Sequence, residues 1–377
     1  MKRTLSWGAF AAFAVLLPPI LRWIAGQPLL PGTEAYALAL LLEPFLPRSI
    51  SLAIIVFLGT GLMALATAIA HQELRKSLPK WALNATLALI IFSPVVFATA
   101  YAPSQAVFAL LLALALRVKD VRKAGVLFTA IFVMVVAHIV LQGVRPATQA
   151  LVELGGLNAY GMFTLIAGIA GAYVLWENKA RNYFLTLAIL ALVTLSFIYP
   201  TLMLFGTVAV AAVAGIGLVR LSRQRWVFPL VRTLTLILFF CGILFASISS
   251  LTLLANAPPS AKLASGLAEL RYTLPEGKIL SHDSYATWIS YWAQRPAAEI
   301  PESIQPSIWY SRNIDNTTLL LEAYGVSSIV VTPQMRSGLV WTGDEQGLMF
   351  LVAHSKKFKR IESGNIVEAW AFVPESP

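Results

Sequence analysis

Nine apolar stretches, each of spanning or near-spanning length, fill the first two thirds of this 377-residue chain: Leu5 to Gly26, Ile50 to Ala70, Trp81 to Ala100, Tyr101 to Leu116, Ala124 to Gly143, Asn158 to Trp176, Tyr183 to Ile198, Thr201 to Val219 and Thr233 to Leu254. A hydrocarbon core about 30 Å thick takes roughly 20 helical residues to cross. The pattern therefore predicts a polytopic α-helical membrane protein. The shortest stretch, Tyr101 to Leu116, barely reaches across, and Tyr101-Ala102-Pro103-Ser104 in front of it reads as a tight turn.

The basic residues are distributed as membrane topology requires. The net charge is +10 overall, yet the chain up to Leu254 carries an excess of +12 and the remainder an excess of −2. A surface that binds nucleic acid would spread its cations over a soluble domain, so this class is excluded. With the N-terminus cytoplasmic, fifteen Lys and Arg residues fall in inner segments, and only Arg22, Arg48 and Arg145 face outward. Trp7, Trp23, Trp81, Trp176 and Trp226 all stand at predicted span ends. The expected address is the plasma membrane of a prokaryote, with everything after Leu254 outside the cytoplasm. Met1-Lys2-Arg3 opens an uncleaved first span bent at Pro18-Pro19, because no small-residue cleavage site follows the apolar run. Gly168 with Gly171, and Gly59 with Gly61, read as close helix-packing positions.

Two domains are expected, a transmembrane domain over 1–254 and an extracytoplasmic α/β domain over 255–377. In the second, helices are predicted over Ala261 to Tyr272, Tyr285 to Trp292, Asn316 to Tyr324 and Glu345 to His354. Strands are predicted over Lys278 to Ser281 and Ser327 to Thr332, with a terminal hairpin of Phe358 to Glu362 and Ile366 to Val373. Asp315 or Asn316 is the expected cap of the third helix. The single cysteine, Cys241, lies in an apolar run, so no disulfide framework is available.

Candidate chemistry is confined to few residues. Glu34, Glu43 and Glu153 are the outward carboxylates of the membrane part. Glu34 follows Pro31-Gly32-Thr33 and opens a short interfacial helix that Thr33 can cap, a position from which a partly desolvated carboxylate serves as a general base. His138, inside the fifth span, is an ionisable group where ionisable groups are costly; with Glu153 and Tyr36 it is a candidate pocket residue. Arg145 and Arg22 are the candidate ligands of a phosphate, which a guanidinium grips with two parallel donors. Asp-x-Asp is absent and no outward cluster offers the oxygens of a Mg²⁺ site, so neither metal dependence nor another cofactor is expected.

The run from Ile279 through Ser281-His282-Asp283-Ser284-Tyr285-Ala286-Thr287-Trp288 to Tyr291-Trp292-Ala293-Gln294-Arg295-Pro296 resembles, without a gap, the segment around the WWDYG motif of the oligosaccharyltransferase catalytic subunit. Tyr324 to Val331 and Phe358 to Ile361 are similar to the end of the extracytoplasmic domain in the wider group of GT-C membrane glycosyltransferases. Pro31 to Tyr36 sits where those enzymes carry an acidic residue in the first outer loop. The resemblance implies a GT-C-like fold and transfer of a sugar from a polyprenyl-phosphate carrier to an acceptor on the outer side, with Glu34 as base and Arg145 and Arg22 on the lipid phosphate. The motif positions read His282, Asp283, Ser284, Tyr285 and Ala286, without the tryptophans and aspartate that grip an acceptor hydroxyl in the family, so recognition of Asn-x-Ser/Thr is not implied. The other class compatible with the sequence is a non-catalytic relative whose outer domain binds a glycan or an envelope protein.

Overall fold

The computed structural model describes residues 2–76, 78–99, 101–118, 129, 133–137, 151–156, 159–177, 179–199, 202–343, 345–361 and 367–373. They are mostly helical, with one small sheet. The chain divides into two compact units: Met1–Ala25, Leu29–Pro31 and Leu52–Ala257 form the first, and Gly26–Pro28, Gly32–Ser51 and Pro258–Pro377 the second. The Gly32–Ser51 segment thus belongs with the C-terminal residues.

The first unit is built from α1 (Lys2–Ile24), α3 (Arg48–Leu74, from Leu52 onward), α4 (Lys80–Ile91), α5 (Pro94–Ala98), α6 (Pro103–Arg117), α7 (Met162–Glu177), α8 (Lys179–Ile198), α9 (Met203–Arg223) and α10 (Pro229–Asn256). Among the described residues, four helical stretches are long and apolar enough to cross a membrane: Ser6–Ile24, Arg48–Leu74, Met203–Arg223 and Pro229–Thr273. Lys80–Ile91, Pro103–Arg117, Met162–Glu177 and Asn182–Ile198 are apolar but shorter. Side chains such as Phe57, Phe184 and Phe240 are exposed by 70%, 84% and 64%. Large apolar groups left this open along whole helices are covered by lipid, and the chain is a membrane protein.

Of the nine expected stretches, Trp81 to Ala100 is not one helix. It breaks between α4 and α5, where Ser93 Oγ accepts the Val96 N–H and Pro94 takes the first helical position. The fifth stretch, Ala124 to Gly143, lies largely outside the described residues. The first runs as continuous helix through Pro18 and Pro19. Gly168 and Gly171 do meet another helix: a Cβ on Gly171 would stand 1.9 Å from the Val213 carbonyl oxygen of α9, and one on Gly168 3.2 Å from Val210 Cγ1. Gly59 packs similarly, its Cβ position 3.0 Å from Thr99 O, whereas Gly61 faces open space.

The second unit contains α2 (Glu34–Leu41), α11 (Ala261–Thr273), β1 (Lys278–Leu280), α12 (Asp283–Trp288), α13 (Gln305–Trp309), α14 (Ile314–Ala323), β2 (Val326–Val331), α15 (Gly347–His354), β3 (Phe358–Ile361) and β4 (Glu368–Phe372). The strand order is β1-β2-β4-β3, with β1 and β2 parallel and the other pairs antiparallel. Ile329, Val330 and Val331 are all buried in β2, as β-branched residues of a central strand covered on both faces should be. Asn313, rather than Asp315 or Asn316, caps α14, its Oδ1 accepting the N–H groups of both those residues; a cap must lie just ahead of the donors it satisfies. The helix expected over Tyr285 to Trp292 starts earlier, at Asp283 behind a His282 cap, and widens into a π turn over Ile289–Ala293 before Gln294 closes it in the left-handed region at φ 53°.

Candidate functional site

In the second unit the Gly32–Ser51 segment packs against the Ile279 to Pro296 segment. Gly32, at φ +77°, is held on both sides: its N–H donates to Pro258 O at 3.0 Å, and its carbonyl accepts from Trp288 Nε1 at 2.9 Å. These bonds fix where the chain turns into α2, whose first residue is Glu34. Thr33 occupies the N-cap but its side chain makes no capping bond, unlike the sequence expectation. The anchor of α2 is instead aromatic. Tyr36, 1% exposed, lies 4.9 Å from the ring centres of both Tyr291 and Trp292, edge-on to the first, so it is a packing residue and not a wall of an open pocket.

Arg48, just beyond α2, fastens the same segment. Its Nη2 donates to both oxygens of Glu43, at 2.7 and 2.8 Å, while Nη1 donates to the carbonyls of Ser290, at 3.3 Å, and Tyr291. Those carbonyls belong to the π turn, where the wider winding leaves acceptors without an ordinary helical donor. The guanidinium also stands 5.6 Å from the centre of the Tyr291 ring. Burial pushes the Tyr291 phenol above its ordinary range, the Arg48 charge acting in the opposite direction. Glu43 is thereby consumed as a structural counter-ion.

Between α2 and α12 runs an open groove of about 860 Å³ lined by Ala37, Leu40 and Leu41 on one side, and by Asp283, Thr287, Ser290 and the Pro296 to Pro301 stretch on the other. Helical spacing puts Glu34 on the same stripe as Ala37 and Leu41, at the N-terminal end of that wall. Glu34 itself is half-buried and is not among the residues that line the groove. Asp283 Oδ2 accepts from Gln305 Nε2 at 2.8 Å, and the same nitrogen reaches Ile300 O at 3.1 Å, tying the far wall together. The groove thus offers the hydroxyls of Thr287 and Ser290 and the carboxylates of Asp283 and Glu299 along its wall, a set suited to a polyhydroxylated ligand.

The other expected site residues lie elsewhere. In the first unit Arg22 is fully buried, and its Nη1 donates to the carbonyls of Leu254 (2.9 Å), Ala255 (3.2 Å) and Ala257 (2.6 Å). It closes the C-terminal end of α10, where a cation meets unpaired carbonyls and the negative end of the helix dipole. Glu153 Oε1 accepts the Met162 N–H at 2.9 Å and so caps the start of α7. Arg145 and His138 lie outside the described residues. Among the described residues no group of three His, Cys, Asp or Glu side chains is placed to hold a metal ion. Arg48, Trp288 and Trp292 escaped the sequence reading as site-building residues. Arg48 stands at a predicted span end like other outward cations and the two indoles lie in a predicted helix; their placement near Gly32 and Tyr36 is long-range.

No protein-family model matches the chain, and no curated protein matches it. Solved structures to which the chain shows a distant likeness include the oligosaccharyltransferase of Archaeoglobus fulgidus tethered to an acceptor peptide with the NVT sequon, at 12% identity and TM-score 0.41, covering 98% of this chain and 62% of that one. The apo form of that enzyme gives 13% identity and TM-score 0.41 over 88% of this chain and 58% of that one. The archaeal oligosaccharyltransferase AglB from Archaeoglobus fulgidus in complex with an inhibitory peptide and a dolichol-phosphate gives 13%, 0.39, 98% and 63%. The chain spans less than two thirds of the length of each.

Proposed function

We propose that this protein is a GT-C-like membrane glycosyltransferase that takes a sugar from a polyprenyl-phosphate carrier and passes it to an acceptor hydroxyl on the extracytoplasmic side. The observation that carries the reading is the packing of α2, which begins at Glu34, onto the Ile279 to Pro296 segment, with a groove between them. Glu34 accepts the acceptor's hydroxyl proton as its oxygen attacks the anomeric carbon; the bond from that carbon to the phosphate oxygen breaks, and the electron pair leaves on the lipid phosphate. Arg145 neutralises the leaving phosphate. Arg22 is the second proposed ligand; its Nη1 is committed to three carbonyls, so its part in holding the phosphate falls to the other nitrogens of the guanidinium.

The test is a transfer assay with the purified full chain and a panel of polyprenyl-phosphate sugars, read as release of the free lipid phosphate together with a glycosylated acceptor. Turnover with at least one donor is expected. No transfer to Asn-x-Ser/Thr peptides is expected, since His282, Asp283 and Ser284 stand at the positions that read the sequon hydroxyl in the family. Failure of every donor to bind or react favours the non-catalytic glycan-binding relative. The sidedness has its own check: protease added to intact cells is expected to remove residues 258–377, and protection until lysis reverses the proposed topology.

A further inference from the structure

In the first unit a cavity of about 690 Å³ opens where the start of α1, the end of α3 and the start of α4 come together. Its walls include Trp7, His71, Arg75, Lys80, Trp81 and Asn84. Arg75 and Lys80 are both exposed, and among the described residues neither has a carboxylate partner. The nearest acid in sequence, Glu73, is taken by Lys76. Two positive charges with no carboxylate partner among the described residues therefore face one cavity. The neighbouring His71 is only 4% exposed, and its Nδ1 has no hydrogen-bond partner among the described residues, an arrangement that proteins rarely leave unfilled. Asn84 adds an amide able to donate and accept. Phe10 and Trp81, exposed by 59% and 69%, give the mouth apolar flanks.

We infer that this cavity holds the headgroup of an anionic phospholipid, the phosphodiester between Arg75 and Lys80 and the acyl chains along Phe10 and Trp81. The chemistry favours this occupant. A guanidinium and an ammonium pair with a phosphate oxygen; an indole at the end of a span sits at headgroup depth; and a basic pocket between helices at a membrane surface is suited to an anionic lipid. A zwitterionic headgroup would bring a quaternary ammonium toward the same two cations, and free phosphate would leave the aromatic flanks unused. The inference does not rest on the transferase reading, which concerns the other unit.

The experiment is native mass spectrometry of the full chain in detergent, titrated with phosphatidylglycerol, with phosphatidylcholine of the same acyl chains, with a polyprenyl phosphate, and with inorganic phosphate alone. Phosphatidylglycerol is expected to be retained in preference to the other three. The double variant Arg75→Gln/Lys80→Gln, made at exposed positions that leave packing intact, should weaken that retention roughly 30-fold, from the usual contribution of a basic residue near a membrane surface. His71→Leu should weaken it in the same direction. Arg223→Gln/Arg232→Gln, on an adjoining groove that shares only Trp81 with this cavity, should leave it unchanged. Equal retention of the two phospholipids, an unaltered Arg75/Lys80 variant, loss confined to the Arg223/Arg232 variant, a preference for polyprenyl phosphate, or displacement of the lipid by inorganic phosphate would each overturn the assignment.

Discussion

Glu34→Gln is expected to lower turnover by about 10² to 10⁴, the usual contribution of a positioned general base, while leaving donor binding in place. The substitution keeps the shape of the side chain and its ability to accept a hydrogen bond, so the N-terminal turn of α2 loses only a charge that favours the helix dipole, worth about 0.3–1 kcal/mol. The neighbouring anchors are independent of that charge: Gly32 stays pinned by Trp288 and Pro258, and Tyr36 stays packed on Tyr291 and Trp292. Glu34→Asp supplies the complementary reading. It retains the basicity but withdraws the carboxylate by one methylene, and misplacement on this scale costs on the order of 10²-fold. A base role therefore predicts that both variants bind the donor normally and that both are slow in transfer. The measurement is single-turnover transfer with donor affinity determined separately. Unimpaired transfer by Glu34→Gln would remove the proposed mechanism, and parallel loss of donor binding would move Glu34 from proton transfer to donor recognition.

Much of the second unit was legible in the sequence because its elements are marked locally. Gly325 at φ +66° ends α14 where a residue without Cβ is needed, and Ile329-Val330-Val331 announces a buried strand. The membrane part was less legible, since hydropathy measures apolarity and not continuity. Trp81 to Ala100 is uniformly apolar apart from a few small polar residues, and only the Ser93-Pro94 pair, a cap followed by a first-turn proline, betrays the break between α4 and α5. The proposed site was legible in part. Glu34 could be singled out because a Pro-Gly turn precedes it. The partners that hold its helix could not, because Trp288 and Gly32 are 256 residues apart in the chain and no local pattern records such a bond. The same limit explains Arg22. A cation beside Trp23 at a span end has the sequence signature of an interfacial anchor, and what sets its role is a helix terminus more than 230 residues away.

Arg22→Ala is expected to destabilise the first unit by roughly 3–5 kcal/mol, because it removes a charged donor from a buried site and leaves several carbonyls without a partner. Each of those carbonyls lies in the last turn of α10 or just beyond it, where the helix itself has no donors to offer. Arg22→Lys should recover part of the loss: the ammonium keeps the favourable charge at the negative end of the helix but lacks the planar, rigid fork that meets adjacent acceptors at little cost in entropy. Arg22→Met should resemble Arg22→Ala with a smaller packing deficit, since the aliphatic stem is preserved. The ranking arginine, lysine, methionine, alanine in thermal midpoint, followed by intrinsic fluorescence in detergent, is the signature of a carbonyl clamp. A phosphate-binding arginine gives a different order. Lysine would then retain most of the donor affinity as a point charge, and none of the variants would move the midpoint greatly. Donor affinity normalised to the folded fraction separates the two roles. If that affinity collapses in Arg22→Met while the midpoint holds, the guanidinium acts on the donor and the carbonyl clamp is not its main role.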